Sequence, residues 1–192
     1  YVNFQNNPDE KTAVEQFGKG DKYFGICTVM LTLPGLPMFG HGQIEGFAEK
    51  YGMEYQRAYW DEQPDQYLIE RHEREIFPLV HKRYLFAGVD QFLLYDFFTA
   101  DGGVAEDVYA YSNGFNGERA LVLYHNAYAE VRGWVRQSAA FSARTGNGDE
   151  RALVQRSLGD GLRLSADEQA FYIFRDYASG LEYLRSGREL VE

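Results

Sequence analysis

The chain has 192 residues, 45% of them hydrophobic, enough to bury a sizeable core; a disordered tail is excluded and one domain, or parts of two, is expected. Its 29 acidic residues exceed its 19 basic ones by 10, and so negative a surface repels phosphate backbones and anionic headgroups, which makes nucleic acid and membranes poor partners. A single cysteine, Cys27, rules out an internal disulfide and gives no sign of an oxidising compartment.

Residues 1–4 alternate weakly like the end of a strand, and Asn6, Asn7, Pro8 and Asp9 follow as a polar turn rich in amide and carboxylate groups. Asp21 is a candidate N-cap for a helix over 22–33, with Phe24, Cys27, Met30 and Leu31 near helical spacing and Pro34 as its stop. The uncharged run 23–44 is long enough to raise the question of a membrane span, but Pro34, Gly35 and Pro37 break it into a short apolar helix and a short strand over 37–39. Gly40, Gly42 and Gly46 then form a loop around His41, Gln43 and Glu45. Two successive strands thus deliver polar side chains at their C-terminal ends, a strand–helix–strand unit with chemistry on one rim.

Over 65–86, Ile69, His72, Ile76, Leu79, Val80 and Tyr84 share a helical face, while Glu70 with Arg74 and Arg71 with Glu75 are spaced to pair on the other. The pattern predicts a long amphipathic helix, kinked or divided at Pro78. After Gly88 the period changes. Segments 91–99, 107–111, 119–125, 134–137, 152–157 and 171–175 are short runs rich in aromatic and β-branched residues, and 114–117, containing Asn116-Gly117, is a hairpin connection. Residues 144–151 form a polar surface loop, and 180–192, with Leu181, Leu184 and Leu190, have a helical pattern. A sandwich of six or seven antiparallel strands is the economical arrangement. Tyr1 opens directly into a patterned segment and the last helix lacks a C-cap, so both ends are expected to lie inside a larger protein.

One strand–helix–strand unit with a following helix is too little for a complete barrel, which needs eight such units and about 250 residues, but it would serve as the last piece of one. Phe4-Gln5-Asn6-Asn7-Pro8-Asp9 resembles the fourth conserved region of the α-amylase family, glycoside hydrolase family 13, written Phe-x-x-Asn-His-Asp. The segment from Leu33 to Gln43, with Pro34-Gly35-Leu36-Pro37 at its start and Gly42-Gln43 at its end, is similar to the family's run through the eighth barrel strand. The helix around Leu79 to Arg83 is similar to the eighth helix, and the β-rich remainder sits where the family has its C-terminal sandwich. The resemblance covers roughly residues 1–130 in order, with its specific motifs within the first 46.

What the resemblance implies is α/β plus all-β: the terminal part of a (β/α)8 TIM barrel over residues 1–88, then an antiparallel β-sandwich over 89–192. The parent protein would be a retaining glycoside hydrolase acting on α-glucosidic bonds of starch- or glycogen-like glucans. Asp9 would be its third catalytic carboxylate, which grips sugar hydroxyls and stabilises the oxocarbenium-like transition state; Asn7, His41 and Gln43 would contact substrate. The nucleophile and acid/base, about 5 Å apart in retaining enzymes, belong to earlier barrel strands, so the chain alone is expected to be silent. Its partners would be an α-glucan or maltooligosaccharide and the rest of the same barrel upstream; no cofactor is implied. Two departures from the family pattern stand out. Pro8 replaces the usual His, as in the maltosyltransferase branch with its Asn-Thr-Pro-Asp, and Glu45 comes one place late after Gly42-Gln43. A maltosyltransferase or branching-type transferase is therefore one alternative, and a non-catalytic, amylase-like binding or scaffold protein another.

His72, His81 and His125 are scattered without metal-ligand spacing, Glu70, Glu73 and Glu75 form a solvated face, and no oxygen-rich calcium loop is visible. Aromatic residues make up 16% of the chain; Tyr109, Tyr111, Phe171 and Tyr172 lie in predicted strands, where packing alone favours them.

Overall fold

A computed structural model describes residues 1–146, 149–167 and 169–191. They form a mixed α/β protein with small, mostly antiparallel sheets, divided into two compact units, Tyr1–Val89 and Asp90–Glu192.

The first unit starts with β1 (Val2–Phe4) and a short helix that the sequence pattern did not announce, α1 (Ala13–Phe17), capped by the Thr12 side chain. The expected helix follows as α2 (Asp21–Thr32), and Pro34 ends it. Its N-cap is Gly20 rather than Asp21; Asp21 lies in the first turn, where a carboxylate complements the helix dipole, and meets Arg71 at 2.7 Å. The strand β2 (Leu36–Met38) pairs parallel with β1, Asn3 opposite Pro37, so that both C-terminal ends emerge side by side. This parallel pair is connected through α2, as parallel pairing requires.

The long helix expected over 65–86 is there in pieces. Asp65 caps α3 (Gln66–Arg71) by accepting from the Leu68 amide, a π-helical turn spans His72–Ile76, and α4 (Phe77–His81) and α5 (Arg83–Phe86) complete the run. The wide turn sits just ahead of Pro78, whose ring has no N–H and would collide with the carbonyl four residues back; the Phe77 amide bonds instead to the His72 carbonyl five residues back. The extra residue rotates the inward face. Leu68, His72, Ile76 and Leu79 are buried, whereas Val80 and Tyr84 are exposed. Arg71 pairs with Glu75 as expected, and Arg74 also turns to Glu75. Leu68, Ile76 and Leu79 close a core with Tyr23, Cys27 and Leu31 of α2. Burying a Leu or Ile side chain contributes about 1.5–3 kcal/mol, so these few contacts account for the attachment of α3 and α4 to α2.

In the second unit β3 (Leu93–Thr99), β4 (Val108–Phe115), β5 (Glu118–His125) and β6 (Gly133–Ser138) form an antiparallel sheet in the order β5-β4-β3-β6. The expected hairpin joins β4 to β5 at Asn116-Gly117, both with positive φ (46° and 91°), the two-residue turn whose twist suits paired strands. One face of this sheet buries Leu93, Tyr95 and Ala110, with Val135 of β6, Phe141 and Leu158 packed against them. Phe141 lies on β7 (Phe141–Arg144), a strand outside the sequence pattern, which pairs with β8 (Arg151–Val154). The intervening polar loop includes residues 147 and 148, outside the described residues. Strand β8 stops short of the expected 157 because Ser157 caps α6 (Leu158–Leu162), exchanging hydrogen bonds with Asp160.

The last segment departs most from expectation. Where a helix was expected over 180–192, β10 (Glu182–Ser186) pairs antiparallel with β9 (Phe171–Arg175), and only α7 (Gly187–Val191) is helical; Glu192 lies outside the described residues. Cross-strand partners explain this: Glu182 faces Arg175 and Leu184 faces Ile173, pairings that outweigh a three-residue leucine spacing. Three small antiparallel sheets are compatible with the expected sandwich. No described helix is long and apolar enough to cross a membrane.

Candidate functional site

The rim where β1 and β2 end is organised around two amides. Gln5 is 5% and Gln43 2% exposed. The Gln5 carboxamide donates to the Tyr23 carbonyl (3.1 Å) and accepts from the Gln43 amide and from the Cys27 thiol (3.0 Å). The Gln43 oxygen takes the Gly40 amide at 2.9 Å, which folds the 40–43 loop back on itself. Gln43, expected at the substrate, therefore has its amide committed to the protein interior. Its place in the site is to shape the loop that carries His41. Gly40 is required by proximity, since a Cβ there would overlap the Asn6 side chain.

The network continues inward. The Tyr23 hydroxyl lies 3.0 Å from both the Gln43 carbonyl and His72 Nε2, while His72 Nδ1–H donates to the Leu68 carbonyl at 2.8 Å. Burial pushes the Cys27 thiol up to about 12 and the Tyr23 phenol higher still, so both stay protonated donors; it pushes His72 below its ordinary value, against the pull of the Leu68 carbonyl, Glu45 and Glu75. With Nδ1 protonated toward the Leu68 carbonyl, a neutral His72 leaves Nε2 an acceptor, so the single Tyr23 hydroxyl proton is shared between Nε2 and the Gln43 carbonyl. These groups brace the rim from beneath and none faces solvent.

Above them the polar turn is set by Asn7, whose Oδ1 accepts from the amides of Asp9 (2.9 Å) and Glu10 (3.0 Å). The turn presents Asp9 exposed. The Asp9 carbonyl receives Lys50 Nζ at 2.8 Å, which ties the turn to the next loop. His41, also exposed, lies against Tyr51 with ring centroids 4.6 Å apart, and Tyr51 lies 4.3 Å from Tyr55.

Those two tyrosines belong to residues 47–64, which have no regular structure but are pinned by carboxylates. Glu62 accepts from the amides of Ala48 and Glu49, both at 2.8 Å, and Glu49 accepts from those of Tyr59 (2.8 Å) and Trp60 (3.0 Å). Lys19 and Asp65, 2.9 Å apart, anchor the far end, and this contact holds the Asp65 carboxyl below the usual range. The structure thus places Asn7 and Asp9 after β1 and His41 after its parallel neighbour β2, with Lys50 on the Asp9 carbonyl and Tyr51 on His41, and Tyr55 beside Tyr51; the sequence did not single out these last three. The Tyr51/Tyr55 spacing was visible, but nothing in a segment without periodicity indicated which rings would meet.

Chemically, the site offers an exposed carboxylate and an imidazole beside two adjoining phenols: acceptors and donors for hydroxyl groups, with apolar ring faces next to them. No group of three His, Cys, Asp or Glu side chains among the described residues could hold a metal ion. Compared with known proteins, the chain matches no family model, no curated sequence and no solved structure.

Proposed function

We propose that the chain is the C-terminal portion of an α-amylase family retaining glycoside hydrolase: the last barrel unit followed by an antiparallel sandwich, acting on α-glucosidic bonds of starch- or glycogen-like glucans. The observation that carries this reading is the exposed Asp9 carboxylate at the C-terminal end of a strand whose parallel neighbour delivers His41 against Tyr51 and Tyr55. Barrel chemistry is done at that end of the strands. A carboxylate there can bind two sugar hydroxyls and gain strength as the ring flattens toward the oxocarbenium ion, while a phenol or imidazole face takes the apolar side of the pyranose.

The barrel half of the proposal has a further support. The pair β1–β2 is only three residues long, yet it exposes Val2, Phe4 and Leu36, and beside it the 6%-exposed Asn6 has an Oδ1 with no hydrogen-bond partner among the described residues. Two such strands are marginal by themselves and suit flanking strands that cover apolar side chains and supply a donor. Pro8, where the family's usual His stands, favours transfer to a sugar acceptor as the second reading.

The test is Asp9→Asn in the full-length protein, assayed on maltoheptaose with product analysis. Loss of the carboxylate's bonds to two sugar hydroxyls in the transition state is expected to lower kcat at least about a hundredfold. Longer and shorter oligosaccharides without new reducing ends would identify transfer rather than hydrolysis. Undiminished turnover by the variant would reject the role of Asp9, and a full-length protein inert on every α-glucan would reject the enzyme.

A further inference from the structure

The geometry points to a second sugar site, in the Asp90–Glu192 unit: a cleft of about 510 Å³ on β6, where Trp134 stacks a neutral pyranose ring and Arg136 and Gln137 donate hydrogen bonds to its hydroxyls. The cleft is lined by Phe98, Thr99, Gly102, Trp134, Arg136 and Gln137, and its volume lies in the ~300–1,000 Å³ range of small-molecule sites.

Its construction follows from a strand irregularity. β6 is the edge of its sheet, and the register between β3 and β6 slips between Tyr95 and Phe97: Tyr95 faces Ser138, but Phe97 faces Val135. One extra residue is therefore inserted on β6, so that Arg136 and Gln137 together oppose Asp96. Such a bulge re-aims side chains, and here both polar groups line the same cleft as Trp134. Trp134 faces Phe98 across the ladder, is 50% exposed, and has the Arg136 guanidinium 5.3 Å from its ring centroid. A large indole left half open on an edge strand, held by a cation on one side, gives up packing area that burial would reward.

The opposite wall is a hydrogen-bonded turn. Thr99 and Gly103 bond across a tight turn (N–H to carbonyl, 2.8 Å), and the Asp101 carboxylate is occupied by the Thr99 hydroxyl and the Gly103 amide, which hold its pKa below the ordinary value. Among the described residues, no carboxylate lines the cleft. The polar groups that do, a forked guanidinium and a carboxamide, match the vicinal hydroxyls of a sugar, whose C–H face suits the indole. A single arginine in a chain of net charge −10 does not recruit anionic ligands, which makes a neutral ring the better occupant. That the ring belongs to an α-glucan rests on the proposed function; that it is a pyranose rests on the cleft.

The chain's two tryptophans, Trp60 and Trp134, allow a local test. In a Trp60→Phe background, the emission of Trp134 is followed while the whole chain is titrated with maltoheptaose and, separately, with cellohexaose. A saturable change with maltoheptaose, weakened at least about tenfold by Arg136→Ala in a variant with an unchanged thermal transition, is expected. A change with cellohexaose alone would support the pyranose site while overturning the α-glucan reading. No change with either sugar, or a change that Arg136→Ala leaves intact, would overturn the site whatever the Asp9→Asn result.

Discussion

His72 sits at the meeting point of the two demands on the first unit, packing and rim support. Its ring is fully buried, donates to the Leu68 carbonyl and faces the Tyr23 hydroxyl, which in turn lies against the Gln43 carbonyl. The charged groups acting on it, Glu45 from the rim loop and Glu75 from its own helical run, favour the imidazolium, but desolvation outweighs them and its pKa stays below the ordinary 6.5. In the unfolded chain the ring is protonated first. Stability from this residue is therefore complete above about pH 6.5 and is lost as pH falls through the depressed folded value. Urea midpoints measured between pH 7.5 and 5 are expected to fall with pH, and the fall should be smaller in His72→Gln, where no imidazole titrates. Equal pH dependence in the two proteins would show that His72 is not the group responsible. The sequence placed His72, unlike His81 or His125, on the apolar face of its helix, but showed no partner for its ring. What distinguishes it is the donor–acceptor chain around it, which long-range packing creates.

At the scale of elements, local chemistry decided some features and tertiary pairing the rest. Asn116-Gly117 announced its turn because a two-residue hairpin needs positive φ at both positions, and few residue pairs tolerate that. Gly117→Ala is therefore expected to destabilise the second unit by about 1–2 kcal/mol, seen as a lower midpoint in chemical denaturation, whereas loss below a few tenths would mean the turn adopts another conformation. Pro78 announced an interruption but not its form. A π-turn over His72–Ile76 keeps the chain helical while rotating the apolar stripe, so Val80 and Tyr84 left the expected buried face. The strands β7 and β10 were illegible for a different reason: each depends on a partner strand that periodicity within a short segment does not encode, and in β10 the leucine spacing mimicked a helix.

At the scale of the whole molecule, the net charge of −10 was legible at once and constrains the ligand more firmly than any single residue does. Asp9 and His41 could be placed from strand ends; the phenols of Tyr51 and Tyr55 could not, because their loop is shaped by the Glu49 and Glu62 carboxylates bonding to backbone amides far along the chain. On the proposed function, an acidic surface, a rim that can bind hydroxyl groups beside aromatic faces and a Trp134 cleft with no carboxylate among its described lining residues all favour an uncharged, hydroxyl-rich ligand. Such a ligand displaces no condensed counterions and gains nothing from long-range attraction, so its affinity should not follow ionic strength. Maltoheptaose binding to the chain is expected to change less than about twofold between 0.05 and 0.5 M NaCl, since the proposed contacts would be stacking and short hydrogen bonds. A steep loss of affinity with salt would instead identify an anionic ligand held by the few cations of the two sites, Lys50 and Arg136, and would turn the functional reading from neutral glucans toward charged saccharides.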